Sequence, residues 1–152
     1  MLTLEYICRM IKSIKVLNLF STLLFGIILL LVYAYLPISV DVNIEGVSTV
    51  HKQTFFYVAL SSFLVINVLL RLITRFGFTK FNETLKGWVS LVVLVVNVYL
   101  TLLVGFIGVW NNATSISPDG YGYLNYIGPF LLVCWIIGLI FLVFKNILKP
   151  TH

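Results

Sequence analysis

The stretch WVSLVVLVVNVYLTLLVGFIGVW, residues 88–110, contains no charged side chain and no histidine. About twenty apolar residues in a helix cross the hydrocarbon layer of a bilayer, whereas a helix at a water-facing surface keeps a polar flank. Its few small or weakly polar residues form no such flank. Ser90, Asn97, Thr101, Gly105 and Gly108 follow one another at steps of 7, 4, 4 and 3, which places them on one narrow stripe of a helix. Three further runs of the same kind occupy residues 16–36, 55–72 and 124–144, and Arg71 is the only charged residue within them. The expected fold is therefore an all-α integral membrane protein. One polytopic domain over residues 1–152 forms an antiparallel bundle of four transmembrane helices.

Each of the other runs carries a comparable stripe. The first has Asn18, Ser21, Thr22 and Gly26, the second Asn67, Arg71, Thr74 and Arg75, and the fourth Gly128, Trp135 and Gly138. Helices in lipid associate through close packing at small residues and through hydrogen bonds between helices, because leucine against leucine gains little over leucine against lipid. Asn18, Asn67, Asn97, Thr101, Gly105 and Gly108 are thus expected to form the inner seam of the bundle. A polar path lined by Asn18, Asn67, Asn97 and Thr101 is the alternative use of the same residues. Arg71 lies one turn inside Arg75, and its long stem lets the guanidinium snorkel to the interface. Trp88 at one boundary and Trp110, Tyr121, Tyr123 and Tyr126 at the other suit the aromatic belts of a membrane protein.

Composition agrees with this class. A chain of 152 residues that is 61% hydrophobic and 10% charged, with a mean hydropathy of +1.08, has too little polar surface to coat a soluble globule. The net charge of +5 is a matter of topology and gives no reason to expect nucleic acid. Arg9, Lys12, Lys15, Arg71, Arg75, Lys80, Lys86, Lys145 and Lys149 all fall on one side of the four runs, and Lys52 alone falls on the other, with Asp41, Glu45 and Asp119. By the positive-inside rule both termini face the cytoplasm. The short loops point to the cytoplasmic (inner) membrane of a bacterium. The first run is too long for a signal-peptide core and no small-x-small cleavage site precedes Pro37, so it is expected to stay as an anchor. Cys8 is expected at the cytoplasmic side and Cys134 in mid-membrane, which leaves no disulfide to form.

The outer loop after the first run has a different period. Ile38, Val40, Val42 and Ile44 alternate with Ser39, Asp41, Asn43 and Glu45, which is the pattern of a half-buried strand, and Gly46 permits a turn into residues 47–53. A lone two-stranded hairpin is marginal in water, so its apolar face needs cover from the bundle, a second copy or another subunit. Its exposed polar residues, Asp41, Asn43, Glu45 and Lys52, are the expected partner-binding set. Asp41-x-Asn43-x-Glu45-Gly46 also opens like a calcium loop, but position twelve is Lys52 in place of a bidentate glutamate.

Leu36-Pro37, the alternating segment with Asn43, then Gly46 and Lys52 just before a second span, together resemble a bacterial membrane domain family of unknown function. That family includes the immunity and signalling protein for the sporulation-delaying toxin. The resemblance covers about residues 33–52, and the His-Phe that precedes the Asn in the family is missing here. It implies an inner-membrane protein with an outward-facing sensing or partner-binding loop.

No span carries a carboxylate for proton-coupled transport or a histidine for haem, and no paired cysteines, nucleophile with a base, phosphate-cradling glycine loop or metal-ligand spacing occurs. The expected function is that of a non-catalytic accessory, assembly or scaffold subunit of a larger membrane complex. It needs no cofactor and no metal, and its partners are the lipid bilayer and other membrane-protein subunits or a copy of itself. The alternatives are an immunity or sensing protein working through residues 37–53, and a small channel or uncoupled transporter.

Overall fold

The structure, a computed structural model, describes residues 2–44, 47–77, 83–112 and 123–147. Glu45, Gly46, Lys80, Asp119, Tyr121 and Lys149 lie outside them. The elements are α1 (Leu2–Tyr35), a hairpin of β1 (Ser39–Ile44) and β2 (Val47–His51), α2 (Lys52–Leu72), α3 (Glu83–Trp110) and α4 (Leu124–Ile147). Four helical segments are long and apolar enough to cross a membrane: Lys12–Tyr35, Lys52–Phe76, Leu85–Trp110 and Tyr126–Lys145. They coincide with the four apolar runs. α1 begins well before its run, because apolarity marks where lipid starts and not where the helix does. Its 34 residues rise about 51 Å at about 1.5 Å each, against a hydrocarbon layer of about 30 Å.

Local chemistry sets the ends of α2. His51 caps its start, with Nδ1 accepting from the Gln53 amide at 3.3 Å, so the helix leaves the hairpin without a linker. At the far end the helix widens into a π-turn, Ile73–Gly77. There the Thr74 hydroxyl donates to the Arg71 carbonyl at 3.0 Å, a side-chain bond of the kind that competes with the regular ladder.

Cross-helix pairs give the directions. Asn18 meets Ser90 and Val32 meets Gly108, so α1 and α3 run parallel. Phe25 stacks on Phe63 and Tyr33 lies by Phe56, so α2 runs against α1. Gly128 meets Tyr99 and Gly138 meets Trp88, so α4 runs against α3. Helices adjacent in sequence are antiparallel, as expected, yet the most extensive helix contact is the parallel one between α1 and α3. α3 touches all three other helices, and no residue from Leu85 to Asn111 is exposed. α4 leans on α3, with apolar residues such as Phe130, Ile137 and Phe141 facing outward.

The apolar core holds Phe25, Leu29, Leu36, Val40, Phe55, Phe63 and Val104. Val40 comes from the hairpin and is fully buried, and Val42 and Val50 pack beside it. Val40, Val42 and Val50 of the hairpin are therefore covered by the protein's own bundle. Its strands pair antiparallel, Ser39 with His51, Val40 with Val50 and Asp41 with Thr49, and the register shifts between Asp41 and Ile44. Ile38 precedes the first pair and is exposed, which departs from the face that alternation gave it.

α3 and α4 are joined by an exchange of indoles. Trp88 Nε1 donates to the Trp135 carbonyl at 3.1 Å, and Trp135 Nε1 donates to the Trp88 carbonyl at 3.0 Å. Gly138 admits the Trp88 ring and Gly128 admits the Tyr99 ring; a Cβ at either would overlap it. Trp88 is thus turned into a helix seam, where the sequence suggested only an interfacial belt. Gly26, by contrast, has nothing within 4 Å of a built Cβ. Gly138→Val is expected to destabilise the protein by about 1–3 kcal/mol through overpacking, read as a lower unfolding midpoint in detergent. Gly26→Ala should be neutral or raise the midpoint slightly, since Gly loses about 0.5–1 kcal/mol to Ala inside a helix.

Candidate functional site

Between the bundle's two ends lies a buried polar seam centred on Asn97, which is fully buried. Its Oδ1 accepts from Asn67 Nδ2 of α2 at 2.8 Å, and its Nδ2 donates to Ser21 Oγ at 3.1 Å and Thr22 Oγ1 at 3.3 Å of α1. One amide thereby ties three helices. Ser21 and Thr22 pass their own hydroxyl hydrogens back to the Asn18 carbonyl, and Thr101 donates to the Asn97 carbonyl at 2.7 Å. Asn18 Nδ2 reaches the Ser90 carbonyl at 3.2 Å, which extends the seam toward the basic end. Two buried acceptors, Asn18 Oδ1 and Asn67 Oδ1, have no hydrogen-bond partner.

Toward the hairpin the seam stops. The rings of Phe25 and Phe63 stack with centroids 3.8 Å apart, and Leu29 and Val104 lie in the same apolar cluster. The hairpin then caps that end through Asn111, just past α3. Asn111 Oδ1 accepts from the Asp41 amide at 2.7 Å and Asn111 Nδ2 donates to the Asp41 carbonyl at 2.8 Å, so a side-chain amide acts as a third strand's peptide group. Trp110 Nε1 donates to the Asp41 carboxylate at 3.3 Å. Lys52 places its ammonium 5.3 Å from the centre of the Tyr33 ring, a cation–π distance.

At the basic end, Lys15 of α1, Arg71 and Thr74 of α2 and its π-turn, and Lys86, Gly87 and Ser90 of α3 surround a cavity of about 270 Å³, with Ile14, Asn18 and Val93 completing the wall. The parallel packing of α1 on α3 brings these cations together. None of its lining residues is a carboxylate. Among the described residues no group of three His, Cys, Asp or Glu stands close enough to hold a metal ion.

The structure gathers Asn18, Asn67, Asn97 and Thr101 into one hydrogen-bonded seam and sets Gly108 against Val32. Gly105 packs against nothing, since a built Cβ there meets open space. Of the four expected partner-binding residues, Asp41 and Lys52 turn to contacts within the protein. Glu45 lies outside the described residues, as does the side chain of Asn43. Sequence reasoning missed Asn111, which follows the third apolar run and has no periodic signal.

Fold and interior define a multi-pass membrane protein whose helices are joined by buried amides, hydroxyls and indoles. No protein-family model matches the sequence, and no curated protein and no solved structure gives a significant match.

In a background with Cys8 and Cys134 replaced by serine, a membrane-impermeant maleimide applied to intact cells is expected to label Thr49→Cys fast and Val50→Cys slowly. Adding Asn111→Leu should speed labelling of Val50→Cys by about tenfold, the equivalent of about 1.4 kcal/mol of lost anchoring. Absence of all labelling would place the hairpin on the cytoplasmic side. Unchanged rates would mean that Asn111 does not hold it.

Proposed function

We propose that the protein is a non-catalytic accessory or scaffold subunit that binds another integral membrane protein, with its basic end in the cytoplasm of a bacterial inner membrane. The observation that supports this is the cleft left on α3 between α1 and α4. At one level it opens into an apolar space of about 470 Å³ lined by Leu17, Trp88, Leu91, Gly138 and Phe141, among others. A second space, of about 580 Å³, lies between α1 and α3 without α4 and is lined by Leu31, Tyr35, Gly105 and Val109, among others. Gly105 lies about 80° around the helix from Asn97 at about 100° per residue, on the side toward α4. A smooth groove with a glycine floor is the surface on which a further transmembrane helix packs closely.

On this reading the protein, solubilised gently from its native membrane, co-migrates in fixed stoichiometry with a second membrane protein. Gly105→Leu fills the groove and lowers recovery of that partner several-fold without lowering the protein's own abundance. Migration alone, in parent and variant alike, contradicts the reading.

A second reading, that of a toxin-immunity or signal-sensing protein, draws on the hairpin. Because β1 is bound to Asn111 at the end of α3, a ligand that shifts the hairpin pulls on the helix against which all the others pack. The channel reading has less behind it, since the polar seam runs into the stacked rings of Phe25 and Phe63.

A further inference from the structure

The two edges of the hairpin differ. Asp41 turns its N–H and C=O outward from β1, and the Asn111 amide meets both. In an antiparallel pair, opposite residues either exchange both backbone bonds or turn both groups away from each other. Thr49 is opposite Asp41, so it too turns its N–H and C=O outward, at the far edge of β2. The Lys52 amide donates to the Ile38 carbonyl at 2.9 Å, one place beyond the pair of Ser39 and His51, which fits this alternation. Thr49 is exposed, and none of the described residues meets its outward groups.

Sheets protect their free edges with charges, prolines, bulges or a covering segment. The β1 edge has the charge of Asp41, a register shift between Asp41 and Ile44, and the cover of Asn111. The β2 edge, Val47–His51, has no carboxylate, lysine, arginine or proline. The sheet is also narrow, since three or more strands are the usual requirement for stability. An apolar space of about 280 Å³ beside Val42 and Val50, walled by Thr54, Phe55 and Val58 of α2, marks where its inward face is unfilled.

We infer that β2 pairs antiparallel with β2 of a second copy of this chain, making one four-stranded sheet across a two-fold axis at Thr49. Geometry singles out a second copy. Two copies inserted the same way in one membrane can share a two-fold axis only along the membrane normal. β1 runs from the end of α1 to Asn111 at the end of α3, with its valines inward, so the sheet lies across the bundle end and meets that axis face-on. A face-on two-fold beside an edge strand makes the two edges antiparallel. On it each Thr49 N–H donates to the C=O of the other Thr49, and no like charges are opposed. The two Val50 side chains lie diagonally on the inward face, about 7–8 Å apart, so the valine surface continues from one copy to the other. This interface is separate from the groove on α3, and the failure of either leaves the other standing.

The test is disulfide cross-linking of the full chain in its native membrane, with Cys8 and Cys134 replaced by serine and copper phenanthroline as oxidant. Thr49→Cys is expected to give a band at twice the chain mass on a non-reducing gel, about tenfold faster than Ser39→Cys, because Cα atoms about 5.5 Å apart across the axis suit a disulfide. Ser39 is exposed as well, but it lies on β1, three strand spacings of about 4.8 Å from its equivalent in the second copy. Thr49→Pro removes only an outward N–H, so the hairpin keeps its own bonds. By light scattering in mild detergent the parent is expected at twice the chain mass and Thr49→Pro at the chain mass, with Val50→Cys still slow to react with maleimide. Should Thr49→Pro loosen the hairpin, the relative rates of Thr49→Cys and Ser39→Cys decide alone. Equal rates at the two positions, a cross-link from Thr49→Cys to a different protein, or a parent of single-chain mass overturns the proposal.

Discussion

The amide of Asn97 sits where no water can reach it, and its hydrogen-bonding capacity is met by side chains of the two helices beside it. In lipid an unmet polar group is costly, so a buried asparagine demands that its partners stay in place. That demand is directional, unlike contact between leucines, which would tolerate many rotations of one helix about another. Because Asn67 comes from α2 and Ser21 and Thr22 from α1, satisfying Asn97 fixes the rotation and height of both against α3. α4 obeys the same rule through different groups, the exchanged indoles of Trp88 and Trp135 over glycine notches.

With the helices fixed, the two ends acquire distinct characters. At one end the chain closes itself: β1 and β2 lay Val40 on the core, and Asn111 fastens the strand to α3. At the other end the parallel packing of α1 and α3, with the last turns of α2 between them, gathers cations around an open space. The polar seam joins the second end and not the first, since Asn18 and Ser90 belong both to the seam and to the cavity wall. The flanks between the ends are apolar and face outward, as Phe20, Leu64 and Phe141 do.

The four spans were legible because a bilayer imposes a length and a polarity that no soluble helix shares. The stripe of Asn18, Asn67, Asn97 and Thr101 was legible for the same reason, since polar residues in lipid have to face one another. Gly105 was misjudged because spacing gives a residue's face and not its neighbour. It lies just off the contact with α1, while Gly108, three residues on, meets Val32. The alternation over residues 38–45 announced a hairpin but not its cover, because self and partner can bury valine equally well. Trp88 reads as a belt residue from its position, and an indole serves a belt and a seam by the same amphipathic character. Asn111 and the basic cavity were invisible for a common reason. Each depends on residues about seventy positions apart, Asp41 with Asn111 and Lys15 with Lys86, and contact between elements that do not follow one another has no periodic trace in the chain.

The central claim is that hydrogen bonding at Asn97, and not apolar packing alone, sets the arrangement of the bundle. A double-mutant cycle on Asn97→Val and Asn67→Val, followed by reversible unfolding in mixed micelles, measures it directly. Valine keeps the volume close and removes the amide, and its partner in α2 is left with an unmet donor. The account predicts that Asn97→Val costs about 1–2 kcal/mol and that the two substitutions couple by at least about 0.6 kcal/mol, the range of hydrogen bonds between helices in membranes. A neutral or stabilising Asn97→Val with strictly additive effects would contradict it, and would leave close packing as the force that positions α3.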